Sequence, residues 1–259
     1  IIVPMTIAAI LSEKTLPPRP LPVAISMVTI GLVVLLIARQ PDLGTSLLIG
    51  ASGVYVLFFS GVRVMLLKNK WLNLLLLSSL LGGSLFLAWN YFLIAYQKRR
   101  ILTLFNPESD PLGSGYHIIQ SKIAIGSGGF TGKGIAKGSQ SQLDFVPEQS
   151  TDFIFSVLAE ELGFLGVLLL IIIYSLIIYR CLILSLRCED NFSRLLGASL
   201  TFVFFTYIFV NIGMVSGLLP VVGVPLPLIS YGGSSLITLM ASFGIIMSIH
   251  KHKGPRYLQ

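Results

Sequence analysis

The stretch GFLGVLLLIIIYSLIIYRCL, residues 163–182, decides the fold class of this chain. It carries a single charged side chain, and a helix of this length crosses a hydrocarbon core of about 30 Å at about 1.5 Å per residue. The whole chain agrees with this interpretation, because its mean hydropathy is +0.86 and only 11% of its residues are charged. Soluble domains contain about 25% charged residues. A soluble globular fold is therefore excluded.

Five further apolar runs of similar length accompany this stretch, at residues 22–38, 45–62, 71–96, 195–217 and 232–249. Residues 1–11 are also apolar but too short to span a bilayer. Because the chain begins with Ile1, we expect this segment to be the remnant of a further helix in a C-terminal fragment. The sequence predicts an all-α, polytopic transmembrane helical bundle, with residues 1–259 as a single membrane domain truncated at its N-terminus.

The basic residues between the spans predict the orientation. Eleven of the 18 Lys and Arg residues lie in four segments on one side, 12–21, 63–70, 180–194 and 250–259. This bias marks that side as cytoplasmic, and long loops count little in the rule. The loop 97–152 is then extracytoplasmic. Orientation accounts for the net charge of +7, so no nucleic-acid partner is predicted.

The loop 97–152 is far longer than the usual connection of about 4–6 residues, and such loops are functional or disordered. Disorder is not expected here, because apolar residues recur at a helical spacing in its middle. The spacing predicts a short amphipathic helix in the membrane interface, formed by Tyr116, Ile118, Ile119, Ile123 and Ile125.

The glycine-rich stretch Gly126–Gly134 fails as a nucleotide-binding phosphate loop. Such a loop ending at Lys133 needs glycine where Ser127 stands and Ser or Thr where Gly134 stands. Two interpretations stay open. One is a flexible turn, and the other is a looser anion site that uses Lys122, Lys133 or Lys137 as a point charge.

The segment LDFVPEQSTDFIFSVLAEELGFLG, residues 143–166, is the most informative for function. Pro147 ends any preceding helix, and Ser150 or Thr151 predicts the N-cap of a helix that enters the membrane. Asp152 then lies in the first turn, at the outer boundary of the bilayer. It either complements the helix dipole or acts as a catalytic carboxylate.

Glu160 and Glu161 follow two turns further into the membrane, where a carboxylate costs roughly 2.5–3.5 kcal/mol. Eight residues of rise separate them from Asp152 by about 12 Å, so neither forms a direct carboxylate pair with it. Their role stays open between a function and a buried polar contact with a neighbouring helix.

Two other segments are expected beside Asp152. Asp42 either caps the helix that follows it or, together with Arg39, faces the same external cavity as Asp152. The stretch VSGLLPVVGVPLPLISYGGSS, residues 215–235, is broken by proline and glycine at membrane depth. Such backbone is tolerated where it is buried in protein or lines a cavity, so we expect a second wall of the site there.

Four motifs together carry a resemblance to a known family. They are QPDLGTS at 40–46, NPESDPLGSGYHIIQSKIAIGSGGFTGKG at 106–134, FVPEQSTDFIFSVLAEELG at 145–163 and GVPLPLISYGGSS at 223–235. These motifs resemble the signatures of the SEDS family (shape, elongation, division and sporulation). The sequence HIIQSKIAIGSGG is more similar to the rod-shape-determining branch of the family than to its division branch.

The resemblance implies a bacterial peptidoglycan glycosyltransferase that polymerises lipid II at the outer face of the inner membrane, for cell elongation and rod shape. It also implies a class B penicillin-binding protein as transpeptidase partner. The catalytic aspartate of the family's TDFIF motif falls on Asp152, the expected general base. Substrate contacts are expected from Arg39, Asp42, Lys122, Lys133, Glu148 and Ser230.

No cofactor is firmly predicted. A divalent cation, Mg²⁺ or Mn²⁺, could share the stabilisation of the pyrophosphate leaving group, but His117, His250 and His252 lack metal-ligand spacing. The resemblance further implies helices and a Glu- and Lys-containing stretch before Ile1. Two alternatives remain, a lipid II flippase and a scaffold that recruits cell-wall enzymes.

Overall fold

The computed structural model shows an all-helical membrane protein. It describes residues 1–12, 16–40, 42–62, 72, 75, 78–79, 82–83, 86–110, 113–142 and 150–251. Within these residues no β-strand occurs. The α-helices are α1 (Ile2–Ser12), α2 (Pro20–Ala38), α3 (Leu43–Phe59), α4 (Ala95–Phe105), α5 (Ser114–Ser127), α6 (Ser139–Gln142), α7 (Ile154–Leu186), α8 (Asn191–Val215) and α9 (Gly233–Lys251). A π-helical turn at Ala88–Phe92 precedes α4, and a 3₁₀ turn at Pro107–Ser109 follows it.

Five of the predicted spans coincide with helices, namely α2, α3, α7, α8 and α9. By length and composition α2, α7 and α8 can cross a membrane, while α1, α3 and α9 are shorter apolar helices. Nine residues of the predicted span 71–96 lie outside the described residues, and the described part includes the π-helical turn at Ala88–Phe92. The all-α prediction with short helices in the loop 97–152 is confirmed, although α4 begins two residues before that loop.

Helix α8 lies at the centre of the bundle. Over half of its most apolar window, 56%, is buried, against 11% for α2 and 17% for α7, so those two helices present apolar surface to lipid. One buried cluster packs α1 against the N-terminal half of α8, through Ile7, Leu11, Leu195, Leu196 and Leu200. The other packs the C-terminal half of α8 against α5, α7 and the segment after α8, through Ile118, Tyr174, Phe204, Ile208 and Leu226.

The 33-residue helix α7 is broken at Gly163, whose φ of +64° lies in the left-handed region that favours glycine. The glycine-rich stretch docks into this break through backbone hydrogen bonds. Lys133 N–H donates to the Glu160 carbonyl at 3.0 Å and Gly134 N–H to the Glu161 carbonyl at 2.9 Å, while Phe164 N–H donates back to Gly129 at 3.0 Å. The break thus leaves these backbone groups partnered, as membrane depth requires.

The close approach of the two backbones explains the glycines. A Cβ on Gly132 would collide with the backbone of Glu161, and a Cβ on Gly163 would collide with Gly132. The backbone of this stretch is therefore held against α7, which the flexible-turn interpretation did not predict. The interpretation as an anion site stays a prediction.

Candidate functional site

A cavity of about 720 Å³ opens where the long loop meets the start of α7. Its wall combines residues from α4, from the start of α5, from the entry to α7 and from the segment after α8. Among the described residues it consists of Ala95, Tyr96, Arg99, Arg100, Asp110, Gly113, His117, Asp152, Phe153, Val221 and Gly223. The second wall predicted from the proline-rich stretch is therefore present, through Val221 and Gly223.

Asp152 lies on this wall, partly buried, in an irregular turn whose carbonyls bond to other segments. The Asn211 side-chain N–H donates to the Asp152 carbonyl at 2.8 Å, the Ser230 hydroxyl donates to the Thr151 carbonyl, and Tyr231 N–H donates to the Ser150 carbonyl at 3.0 Å. On its other side the carboxylate meets Gly223, where a Cβ would lie 3.2 Å from Asp152 Oδ2.

The predicted N-cap of α7 was wrong. The helix begins at Ile154 with Phe153 in the cap position and no side-chain cap hydrogen bond. Asp152 therefore precedes the first helical turn instead of lying within it. The physical reason is that Ser150, Thr151 and Asp152 direct their carbonyls to donors outside α7, which holds them out of helical geometry.

Two arginines of α4 form the basic side of the cavity. Arg100 donates from Nη1 to the Val221 carbonyl at 3.0 Å, and its guanidinium lies 4.7 Å from the centre of the Tyr96 ring. Arg99 pairs with Asp110 at 2.8 Å, and its side chain is 68% exposed. The Asp110 side chain is only 13% exposed, so the accessible part of this pair is the Arg99 guanidinium, which can meet an incoming anion.

His117 contributes an imidazole to the same wall. Its ring stacks on Phe153, the residue after Asp152, with 5.6 Å between ring centres and an angle of 21° between the planes. The stacking joins α5 to the entry of α7 directly beside Asp152. The His117 imidazole thus forms part of the cavity wall next to Asp152.

Arg39 and Asp42 do not lie on the cavity wall. Arg39 is the exposed C-cap of α2. Asp42 is the N-cap of α3, and its Oδ1 accepts from Thr45 N–H at 3.0 Å, as the capping interpretation predicted. The turn nevertheless lies close to the segment after α8, because a Cβ on Gly44 would contact Val222.

The other predicted substrate contacts also lie elsewhere. Lys122 is exposed on α5 and packs its side chain over Gly217. Ser230 accepts from Leu226 N–H at 2.7 Å and donates to Thr151, so its hydroxyl braces the turn that carries Asp152. Glu148 lies outside the described residues.

Lys133 contacts Glu160 instead of the cavity. Glu160 is fully buried, and its Oε1 accepts from Lys133 Nζ at 2.7 Å, Gln140 N–H at 3.0 Å and the Ser139 hydroxyl at 3.3 Å. Glu161 accepts from Ala136 N–H at 3.0 Å. Both glutamates make the polar contacts that one of the two sequence interpretations predicted, although their partners belong to the loop 97–152, including α6, and not to another membrane-spanning helix.

Sequence reasoning missed Arg99, Arg100, Asp110 and His117 on the cavity wall, and Asn211, which bonds to the backbone of Asp152. The arginines were treated only as charges of a long loop, and the histidine was considered only as a metal ligand. The Tyr96 and Arg100 spacing on one helix was an available signal, since residues four apart share a helical face. Nothing in the sequence alone connects Asn211 to Asp152, because 59 residues separate them.

The arrangement defines a class of protein. It is a polytopic membrane protein with a carboxylate and two guanidinium groups on one open cavity at the entry of a spanning helix, a site able to move a proton next to a bound anion. The FtsW/RodA/SpoVE family model, described as cell cycle proteins, matches residues 1–254. The chain belongs to this family.

Relatives and solved structures agree with the family assignment. The chain is 51% identical over 253 residues to the peptidoglycan glycosyltransferase MrdB of Escherichia coli K12, covering 98% of this chain and 66% of MrdB. It is similar to a chain from a study of structural coordination of polymerization and crosslinking by a peptidoglycan synthase complex, with a TM-score of 0.76, 33% identity and coverage of 98% and 68% of the two chains. The rod shape determining protein RodA of Thermus thermophilus matches with a TM-score of 0.63, 28% identity and coverage of 99% and 64%. The chain thus spans about two thirds of the length of these proteins.

Proposed function

We propose that this protein polymerises lipid II into glycan strands, as a peptidoglycan glycosyltransferase of cell elongation and rod shape. The observation that carries the proposal is the Asp152 carboxylate on a cavity of about 720 Å³ that it shares with Arg99 and Arg100. The relatives' names support the reaction class, because MrdB is a peptidoglycan glycosyltransferase.

Asp152 acts as the general base of an inverting transfer. Its carboxylate takes the proton from the 4-hydroxyl of the acceptor GlcNAc, and that oxygen attacks the anomeric carbon of the donor MurNAc. The bond from the anomeric carbon to the phosphate oxygen breaks, and undecaprenyl pyrophosphate leaves with the electron pair. A positioned base of this kind contributes about 10²–10⁴ in rate.

The developing charge on the pyrophosphate requires cationic partners near Asp152. Arg100 and Arg99 supply them in this proposal, in place of Arg39, Lys122 and Lys133, because the two arginines share the cavity with Asp152. The guanidinium group donates two parallel hydrogen bonds to phosphate oxygens. Arg99 is the more accessible of the two arginines, because its side chain is 68% exposed although it pairs with Asp110.

A divalent cation is part of the proposal only as an ion that binds together with the pyrophosphate of the substrate. Among the described residues no three His, Cys, Asp or Glu side chains gather into a metal cage. Mg²⁺ commonly binds through one or two carboxylates together with substrate phosphates, and Asp110 and Asp152 line the cavity for such a role. Loss of activity in EDTA, restored by Mg²⁺ or Mn²⁺, would support this part.

We place the cavity on the extracytoplasmic face of the inner membrane, as the bias of basic residues predicts. The proposed partner is a class B penicillin-binding protein that crosslinks the strands. The support comes from the similarity to a chain studied in a peptidoglycan synthase complex that coordinates polymerization and crosslinking.

The test is the substitution Asp152→Asn in the full-length protein together with its partner, assayed with purified lipid II and gel analysis of the glycan products. We expect a loss of at least about 10²-fold. Asp190→Asn is the matched control. Asp190 is the N-cap of α8, at the end of that helix far from Asn211 and Asp152, and its side chain accepts from Ser193 N–H. Asparagine caps a helix equally well. Polymer made by Asp152→Asn at the rate of the control would refute the role of Asp152.

A lipid II flippase is the second candidate. The observation in its favour is the broken helix α7 with the paired Glu160 and Lys133 beside the break, since broken helices with ionisable residues are typical of transporters. Reconstituted vesicles separate the two functions. Transbilayer movement of labelled lipid II without polymer formation would favour transport.

A further inference from the structure

Asn211 is a buried polar residue in the membrane-spanning helix α8 and is 0% exposed. Its amide nitrogen donates to two carbonyls from different segments, Asp152 at 2.8 Å and Val224 at 2.6 Å. An asparagine amide has two N–H donors, so both are used. A polar side chain in a spanning helix is unfavourable unless it makes such bonds.

The two carbonyls belong to two different segments of the cavity wall, the entry to α7 and the segment after α8. One is the carbonyl of Asp152 itself. The other belongs to Val224, which follows Gly223, where a Cβ would lie 3.2 Å from Asp152 Oδ2. A single side chain on a central helix therefore sets the spacing between the carboxylate and the opposite wall. Ser230 and Tyr231 hold the two preceding residues, Thr151 and Ser150, by separate bonds.

We propose that Asn211 is a positioning residue for Asp152, tying the Asp152 and Val224 carbonyls to α8 so that the carboxylate is held at the reacting hydroxyl. The inference rests on the proposed function, in which Asp152 is the general base. Asn211 touches no reacting atom in this role. Its effect passes through the backbone of Asp152.

The consequence is a loss of turnover rather than of substrate affinity. A base displaced by about 1 Å lowers the rate by about 10²-fold. Arg99 and Arg100 lie on α4, and His117 lies on α5. A substitution of Asn211 in α8 leaves these parts of the cavity wall in place, so substrate binding is preserved. We expect Asn211→Leu to lower kcat by about 10–10²-fold and to change KM by less than about threefold.

Ser199→Ala is the matched control for Asn211→Leu. Ser199 lies on the same helix, is also 0% exposed, and its hydroxyl donates to the Ser52 carbonyl of α3 at 2.9 Å. It stands twelve residues from Asn211, about 18 Å along the helix and away from the cavity. The control therefore removes a buried interhelical hydrogen bond of α8 without touching the turn of Asp152.

The decisive measurement is a double-mutant cycle with Asp152→Asn, using lipid II polymerisation by the full-length protein with its partner. If Asn211 acts through the carboxylate, Asn211→Leu in the Asp152→Asn background causes no further loss in kcat. A purely structural role predicts the same fold loss in both backgrounds, and this result would overturn the proposal. So would a kcat for Asn211→Leu equal to that of Ser199→Ala.

These measurements keep the outcomes separable. If the wild-type protein makes no polymer from lipid II, the proposed function itself fails. If Asp152→Asn polymerises at the wild-type rate, the role of Asp152 as general base fails, and the positioning role fails with it. If Asp152→Asn is inactive while Asn211→Leu is fully active, only the positioning role fails. Should Asn211→Leu not be recovered as folded protein, Asn211→Ala takes its place under the same criteria, because it lacks the amide and does not overfill the site.

Discussion

The ion pair between Lys133 and Glu160 gives the sharpest stability prediction, because its two partners differ in burial. The Glu160 side chain is 0% exposed and the Lys133 side chain is 29% exposed, with 2.7 Å between Nζ and Oε1. Lys133→Met leaves a buried carboxylate with only neutral donors. Glu160→Gln leaves a lysine that can turn toward water, and it keeps an acceptor for Gln140 N–H.

The magnitudes follow from this asymmetry. Removing one partner of a fully buried pair destabilises by about 3–5 kcal/mol, and we reduce this to about 2–4 kcal/mol for Lys133→Met because the lysine is partly exposed. Glu160→Gln loses the charge from one hydrogen bond, which amounts to about 1–2 kcal/mol. The double substitution is expected to be no less stable than Lys133→Met alone.

The assay is the thermal unfolding midpoint of the full-length protein in detergent. With a shift of roughly 2–4 °C per kcal/mol for a chain of this size, Lys133→Met is expected to unfold about 4–16 °C lower. Lys137→Met is the matched control, since Lys137 is an exposed lysine of the same loop. Equal shifts for Lys133→Met and Glu160→Gln, or a shift for Lys133→Met no larger than that of the control, would refute the reasoning.

Two further predictions concern the cavity. Gly223→Ala is expected to lower kcat by more than about 10-fold, because its φ of +71° and the 3.2 Å contact with Asp152 Oδ2 combine strain with displacement of the base. Gly61→Ala is the matched control, because Gly61 has a φ of +73° and open space around it. Its effect in the same polymerisation assay measures backbone strain alone. Equal losses of kcat in Gly223→Ala and Gly61→Ala would contradict the argument from the contact with Asp152. Arg100→Ala is expected to lower kcat/KM by about 10²-fold, as removal of a donor to developing charge does. Lys98 on the same helix lies 5.9 Å from the centre of the Trp89 ring and is not among the cavity residues. Lys98→Ala should therefore leave kcat/KM unchanged. Equal losses in the two variants would count against Arg100 as a pyrophosphate ligand.

The helical elements were predictable because their cause is local. An apolar run longer than the hydrocarbon core must satisfy its own backbone, and only a helix does so within one segment. The runs around 22–38, 163–182 and 195–217 therefore correspond to helices. The short helix α5 was also predictable, since its apolar residues recur at the helical period. The boundaries were less so, because α7 extends nine residues before the apolar run, where loop contacts hold it.

The site was predictable only in part. Asp152 was identified from its place between a polar loop and an apolar helix and from the motif around it. Lys122 and Lys133 were chosen because glycine and lysine together suggest an anion site, yet the glycines serve a close backbone contact and Lys133 serves Glu160. Charge alone does not reveal which partner a side chain will meet.

By itself the sequence determined that the chain is a bundle of membrane helices, that a long polar loop interrupts it, and that Asp152 stands where the loop meets a helix. These features depend on hydrophobicity and period along a single segment. Only the tertiary structure decided that α4 brings Arg99 and Arg100 to Asp152, that the glycine stretch fills the break in α7, and that Asn211 ties Asp152 to α8. Those contacts join residues up to 121 positions apart, as between Arg100 and Val221, and such pairs meet only through the packing of helices around α8.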